Sequence, residues 1–235
     1  MFKEAIEYIV GLGNKDIFTE NGQKYATGSM QVLKKPTADA MRVRSLSGLI
    51  EYVQSEFDSE NRLMIHVESP TVVTCFDALN ENASRNNYIE AKAMLPQFPF
   101  DRFISAEEFN IKLQSGFVKN DDRGIMLKVV GNIREEQVNE VGDDGISQAV
   151  TAKTGVATVA QVKVPNPVAL MPFRTFTEVE QPESNFVFRM KSGPTCALIE
   201  ADGGEWQLTA MKNIKEFLEL NLEKEIEQGK VVIIA

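Results

Sequence analysis

The sequence holds a single histidine, His66, and only two cysteines, Cys75 and Cys196, far apart along the chain. One imidazole cannot build a histidine-rich metal site, and with Cys75 it still makes a poor zinc shell. Phosphate cradles are missing too, since neither G-x-x-x-x-G-K-S/T nor G-x-G-x-x-G occurs. The look-alike at Gly11 to Asn14 follows a helical stripe, not a strand. No G-x-S-x-G elbow presents a serine nucleophile. No apolar run approaches the roughly 20 residues that cross a bilayer. The first residues, MFKEAIEYIVGLG, carry acids where a secretory leader needs a basic region. The resulting expectation is a non-enzyme without cofactor, metal or membrane contact, in a reducing cytoplasm with both thiols free and buried.

Positive charge is also in deficit: Lys+Arg of 25 against Asp+Glu of 34 leaves a formal charge of −9. Such a surface repels phosphate backbones, so nucleic-acid binding requires a basic groove that the linear sequence hides. Lys34 and Lys35, with Arg42 and Arg44, are too sparse to form one. What is present is ordinary for a folded chain: 43% apolar and 25% charged residues over 235 positions, enough for one large domain or two small ones.

Periodicity outlines the elements. Phe2, Ala5, Ile6, Ile9 and Val10 share one helical stripe, ended by Gly11 and Gly13, and so short a helix needs something to pack against. Residues 22–33 read as extended, followed by a short strand at Met41 to Val43. A helix over 44–58 is capped by Ser45 and buries Leu46, Leu49, Ile50, Val53 and Phe57. Strands follow at 62–69, 71–78 and 87–95. Ser105 and Glu108 form a capping box for a helix over 105–117 with Phe109, Leu113 and Phe117 inside.

Beyond residue 124 the pattern reads mainly as strands: 124–133, then 150–164 with Gly155 as a kink, 186–192, 195–201 and 204–210. The segment 134–145 holds five acids against one arginine and closes on Asp144-Gly145. A last helix over 211–228 buries Ile214, Phe217, Leu218 and Leu222, and Gly229 stops it before the apolar tail 230–235. No βαβ rhythm and no solenoid repeat occur. The expected fold is α+β, with mixed, mainly antiparallel sheets and amphipathic helices at the N-terminus, middle and C-terminus. Lys119 to Arg123 is the candidate joint between a region 1–118 and a region 119–235, with one continuous domain as the alternative.

Arg174 and Arg189 each follow a phenylalanine, in two arms, 168–176 and 186–190, that flank a loop carrying Glu178, Glu180 and Glu183. Alternation puts Phe186, Phe188 and Met190 on one face and Val187 and Arg189 on the other. The arms make either a core hairpin with charge pairs outside it, or an anion pocket in which two guanidinium groups meet phosphate or carboxylate. His66 with Glu68 or Asp77 could form an acid/base pair, against a purely structural strand position. Glu200, Asp202 and Glu205 lack metal-motif spacing, and Asp121-Asp122 and Asp143-Asp144 read as turn residues. Trp206 opens the last strand as a packing anchor.

In layout the chain resembles the phage and prophage family called YfdQ-like. The likeness is carried by RSLSGLIEYVQ, RLMIHVES with TVVTCFDALN, SAEEFNIKL, and the stretches NPVALMPFRTF and NFVFRM. It covers most of residues 40–222, and the acidic 134–145 segment and the apolar tail depart from it. The resemblance implies a phage-encoded accessory protein of the host cytoplasm, with no functional residue to carry over. The leading expectation is a non-catalytic, self-associating protein that binds a host factor, in an anti-defence or host-takeover role. Alternatives are an accessory of phage recombination or replication, and a protein that sequesters a small anion or nucleotide through Arg174 and Arg189. A phage protein partner remains open, as does a place in the virion.

Overall fold

A computed structural model describes residues 2–13, 16–20, 23–28, 38–58, 61–80, 83–131, 141–143, 148–154, 158–163, 166–191, 193 and 195–235. The chain divides into a unit Met1–Ala38 and a unit Asp39–Ala235. In the first, helix α1 (Phe2–Gly13) precedes an antiparallel hairpin of β1 (Ile17–Glu20) and β2 (Gln23–Ala26), with Phe18 stacked on Tyr25 at 5.6 Å. Of the extended segment expected over 22–33, Gln23–Ala26 is strand and 29–33 lies outside the described residues.

The second unit runs β3 (Met41–Val43), α2 (Leu46–Ser55), β4 (Leu63–Ser69), β5 (Val72–Asp77), β6 (Asn87–Lys92), β7 (Ile104–Ser105), α3 (Ala106–Gly116) and α4 (Asp121–Gly131). It continues through β8 (Val141–Asp143), β9 (Gln148–Thr154), β10 (Thr158–Lys163), β11 (Val168–Leu170), β12 (Ser184–Lys191) and β13 (Thr195–Glu200). Helices α5 (Glu205–Asn221) and α6 (Glu223–Glu227) and strand β14 (Val231–Ile234) complete it. The α+β class is therefore correct. A five-stranded sheet is ordered β14-β4-β5-β6-β3, parallel at its two edge pairings and antiparallel within. A four-stranded antiparallel sheet is ordered β11-β12-β13-β7.

Each of these sheets buries one face. Ile65, Val67, Val73, Cys75, Ile89 and Ala91 meet Leu46, Leu49 and Val53 of α2 and Ile214 and Leu218 of α5 in a first core. Phe186, Phe188, Met190, Cys196 and Leu198 meet Phe109 and Leu113 of α3 and Met126, Val129 and Val130 of α4 in a second. Ser45 caps α2 by accepting from the Gly48 amide (3.1 Å), and Ser105 caps α3 by accepting from Glu108 (3.2 Å). Phe57, expected in the buried stripe of α2, is 81% exposed because the helix ends at Ser55 and Glu56 turns left-handed (φ 51°).

Two expected strands are helical. Residues 124–133 read as a strand from their β-branched run, yet α4 covers them to Gly131. Asn120 accepts from the Arg123 amide (2.9 Å), Asp121 and Asp122 lie at the positive end of the helix, and Arg123, Met126, Val129 and Val130 face inward at helical spacing. The Asp121-Asp122 pair is thus a first helical turn. Residues 204–210 alternate like a strand but begin α5: Asp202 accepts from the Gly204 amide (3.1 Å), Leu208 is 72% exposed, and Ala210, Ile214 and Leu218 are buried four apart. The long strand expected over 150–164 is instead the hairpin β9–β10, with Gly155 outside the described residues, as are 134–140 and Asp144-Gly145.

The joint expected at Lys119 to Arg123 is the docked start of α4. Asn120 Nδ2 donates to the Ala169 carbonyl (2.9 Å), Asp122 accepts from the Ala169 amide (2.8 Å), and the second core takes residues from both sides of position 118. Helix α5 ends at Asn221, where the expected single helix 211–228 is interrupted at Leu222, and Gly229 supplies a left-handed stop (φ 71°). The apolar tail then pairs in parallel with β4. The apolar tail is therefore covered within the chain's own sheet.

Candidate functional site

Residues 93–103, AMLPQFPFDRF, contain no regular element, and Pro96 and Pro99 lack the amide that a sheet ladder requires. Phe98 and Phe100 tie this segment down. Phe98 meets Phe109 (5.7 Å) and Phe117 (4.9 Å) edge-on, and Phe100 stacks on Phe186 (5.4 Å). Asp101 turns the chain through left-handed backbone (φ 60°), held by its amide on the Leu198 carbonyl (2.9 Å). That turn leaves Arg102 exposed and Phe103 37% exposed.

The arm containing Arg174 does not run alongside β12 as a hairpin would. Phe173 donates to the Gly116 carbonyl and Val118 to that of Met171 (both 2.9 Å), so the arm leaves β11 along the end of α3. It then crosses to the first core, where Phe176 and Val179 are buried and Thr175 donates to the Pro70 carbonyl (2.6 Å). Glu178, expected to neutralise an arginine, instead accepts from the amides of Leu46 (2.6 Å) and Ser47 (2.8 Å) at the start of α2.

Arg174 is 7% exposed. Its guanidinium donates to Glu200 (2.7 Å) and to the Ser184 hydroxyl, and it lies 4.0 Å above the centre of the Trp206 ring. Phe186 and Phe100 flank it at 5.5 and 5.8 Å. Burial pulls its pKa below the ordinary value, while Glu200 and Asp202 oppose that shift and hold the charge. For Asp202, burial acts to raise the pKa, but the Ser184 hydroxyl, the Gly204 amide and Arg174 together hold it below its usual range. Arg174 Nε and Trp206 Nε1 are buried donors without a hydrogen-bond acceptor, a rare state that calls for an explanation.

Arg174, Trp206, Phe173, Phe98, Phe103 and Lys112 line a cavity of about 820 Å³, within the range of small-molecule sites. Its charged lining residues are Arg102, Lys112 and Arg174 against Glu108 alone. Lys112 also donates to the Gln97 carbonyl (3.2 Å), bracing the proline-flanked segment on α3. Lys112 pairs with Glu108 (3.7 Å) and Arg174 with Glu200 (2.7 Å), so the site joins aromatic surface to one cation, Arg102, for which the described residues show no salt bridge. Arg189 takes no part. It lies on the face of β12 opposite Phe186, where its guanidinium donates to the Phe188 carbonyl (3.1 Å), so the structure does not bring the two arginines together.

The other sequence-based candidates have structural surroundings. His66 meets Phe76 edge-on at 6.5 Å, and Asp77 turns its oxygens to Asn86 (2.9 and 2.8 Å) and Tyr88 (3.3 Å). Glu200 pairs with Arg174, and Asp202 caps α5. Among the described residues no group of three or more His, Cys, Asp and Glu side chains could hold a metal ion, and no helix is long and apolar enough to cross a membrane. Sequence reasoning missed the segment 93–103. Its available signal was PQFPF, two phenylalanines spaced by prolines beside Arg102. No family model, curated protein or solved structure matches the chain.

Cys75 and Cys196 are free and fully buried, and burial pushes both thiols up to about 12. Native protein at pH 8 is expected to react slowly with iodoacetamide and denatured protein rapidly. Because the folded value exceeds the unfolded one of about 9, the thiols' contribution to stability is complete below that pH and is lost as pH climbs towards 12. The urea midpoint of the wild type should therefore fall more steeply over that range than that of a Cys75→Ala/Cys196→Ala variant. Equal slopes, or rapid native labelling, would contradict this.

Proposed function

We propose that the protein is a non-catalytic binding protein that captures a small anionic ligand in the cavity walled by Arg174 and Trp206. One observation carries the reading: in a chain of net charge −9, three cations and one carboxylate line a single concave, aromatic-rich space. Arg174, its charge met by Glu200 at 2.7 Å, braces the buried wall of that space. Arg102 adds a mobile charge at the rim. In the phage setting implied by the layout resemblance, this is the sequestering form of an accessory protein. The host-factor and recombination readings gain no specific feature from the described residues.

Thermal unfolding across a panel of small anions tests the proposal. A ligand at a hundred times its Kd stabilises by about 2.7 kcal/mol, a rise of roughly 5–10 °C in Tm for a chain of this size. At least one anion should produce that rise in the wild type and not in Arg102→Glu, whose exposed side chain is dispensable for folding. No rise with any anion, or equal rises in both proteins, would refute the reading.

A further inference from the structure

The geometry points to a nucleoside phosphate as the ligand, with its base lying on Phe103 and its phosphate met by Arg102. This inference rests on the anion-binding reading above and narrows it. Phe98 and Phe100 pack against the second core, so their rings are already engaged. Phe103 belongs to neither core: it is 37% exposed and borders the cavity. Lys191 Nζ stands 3.9 Å over its ring, so a stacked base would take the opposite face.

Arg102, the preceding residue, borders the same cavity, and no salt bridge joins it among the described residues. Lys112, by contrast, is balanced by Glu108 at 3.7 Å. A stacking ring beside an unneutralised guanidinium reads a base and a phosphate together. The left-handed turn at Asp101, anchored on Leu198, sets the backbone from which both side chains project. An anion without a ring would leave Phe103 bare.

Isothermal titration of the full chain decides the matter, using the four common ribonucleoside monophosphates, ribose 5-phosphate, the four nucleosides and a tetranucleotide. At least one monophosphate should bind about fivefold or more tightly than ribose 5-phosphate, the least that base stacking on an aromatic ring is worth, and about tenfold more tightly than its own nucleoside, which lacks the phosphate that a guanidinium pairs. Phe103→Ala should remove about tenfold for the monophosphate and leave ribose 5-phosphate within twofold. Ribose 5-phosphate binding as tightly as every monophosphate would overturn the nucleotide assignment while the anion reading stands. A nucleoside binding as tightly as its monophosphate would overturn both, as would silence from the whole panel. A tetranucleotide tenfold tighter than any monophosphate would replace the free nucleotide by a strand as the ligand.

Discussion

Arg174→Met is expected to lower the stability of the second unit by about 2–4 kcal/mol in urea unfolding. Methionine fills the volume of the stem, so the loss comes from the charge. Glu200 and Ser184 lose their partner, and the Trp206 ring loses the cation held 4.0 Å above it. Breaking a buried pair by removing one partner costs about 3–5 kcal/mol. The Glu200 side chain is 33% exposed, so water recovers part of that and lowers the figure. Glu200→Gln keeps an acceptor for the guanidinium and should cost about 1 kcal/mol. If Arg174→Met unfolds within 0.5 kcal/mol of the wild type, the arginine is not the brace described here.

Phe109→Ala should cost about 3–5 kcal/mol, the range for a large aromatic deleted from a closed core. Its ring is 0% exposed on the inner side of α3, 5.7 Å from Phe98 and 5.8 Å from Phe188. The first contact links core to site. Phe98 anchors the segment 93–103, so the variant should also speed amide hydrogen exchange at Asp101, whose bond to Leu198 fixes the turn. A loss below 1 kcal/mol, or unchanged exchange at Asp101, would show that the cavity wall stands independently of this core.

Elements defined by local signals were legible in the sequence. Ser45 and Ser105 both cap the helices they were read to cap, and the alternation in LMIHVES and VVTCFD places Ile65, Val67, Val73 and Cys75 inside. What failed depended on distant partners. Helix α4 is docked by Asn120 and Asp122 on Ala169, nearly fifty residues ahead, and only that contact decides helix against strand for a run rich in valine and isoleucine. Trp206 fits a strand by alternation and a helix once Asp202 and Gly204 set the turn before it.

The site divides along the same line. Arg174 is buried at the border of a cavity, but its company is not what adjacency suggested. Its carboxylate partner is Glu200 rather than a loop glutamate, and Trp206 rather than Arg189 stands beside it. Sequence distance carried no information about either contact. The proline-flanked phenylalanines of 93–103 have no period, so neither a helical nor a strand pattern picks them out.

Trp206 is the only tryptophan in the chain and stands in the cavity wall, which makes its fluorescence a direct reporter of occupancy. Titrating the full chain with the anion that most raises its Tm should change the emission along a saturable curve, and Arg102→Glu should flatten that curve. Emission that stays constant to millimolar ligand, while the same solution shows the thermal shift, would place binding elsewhere and contradict the account.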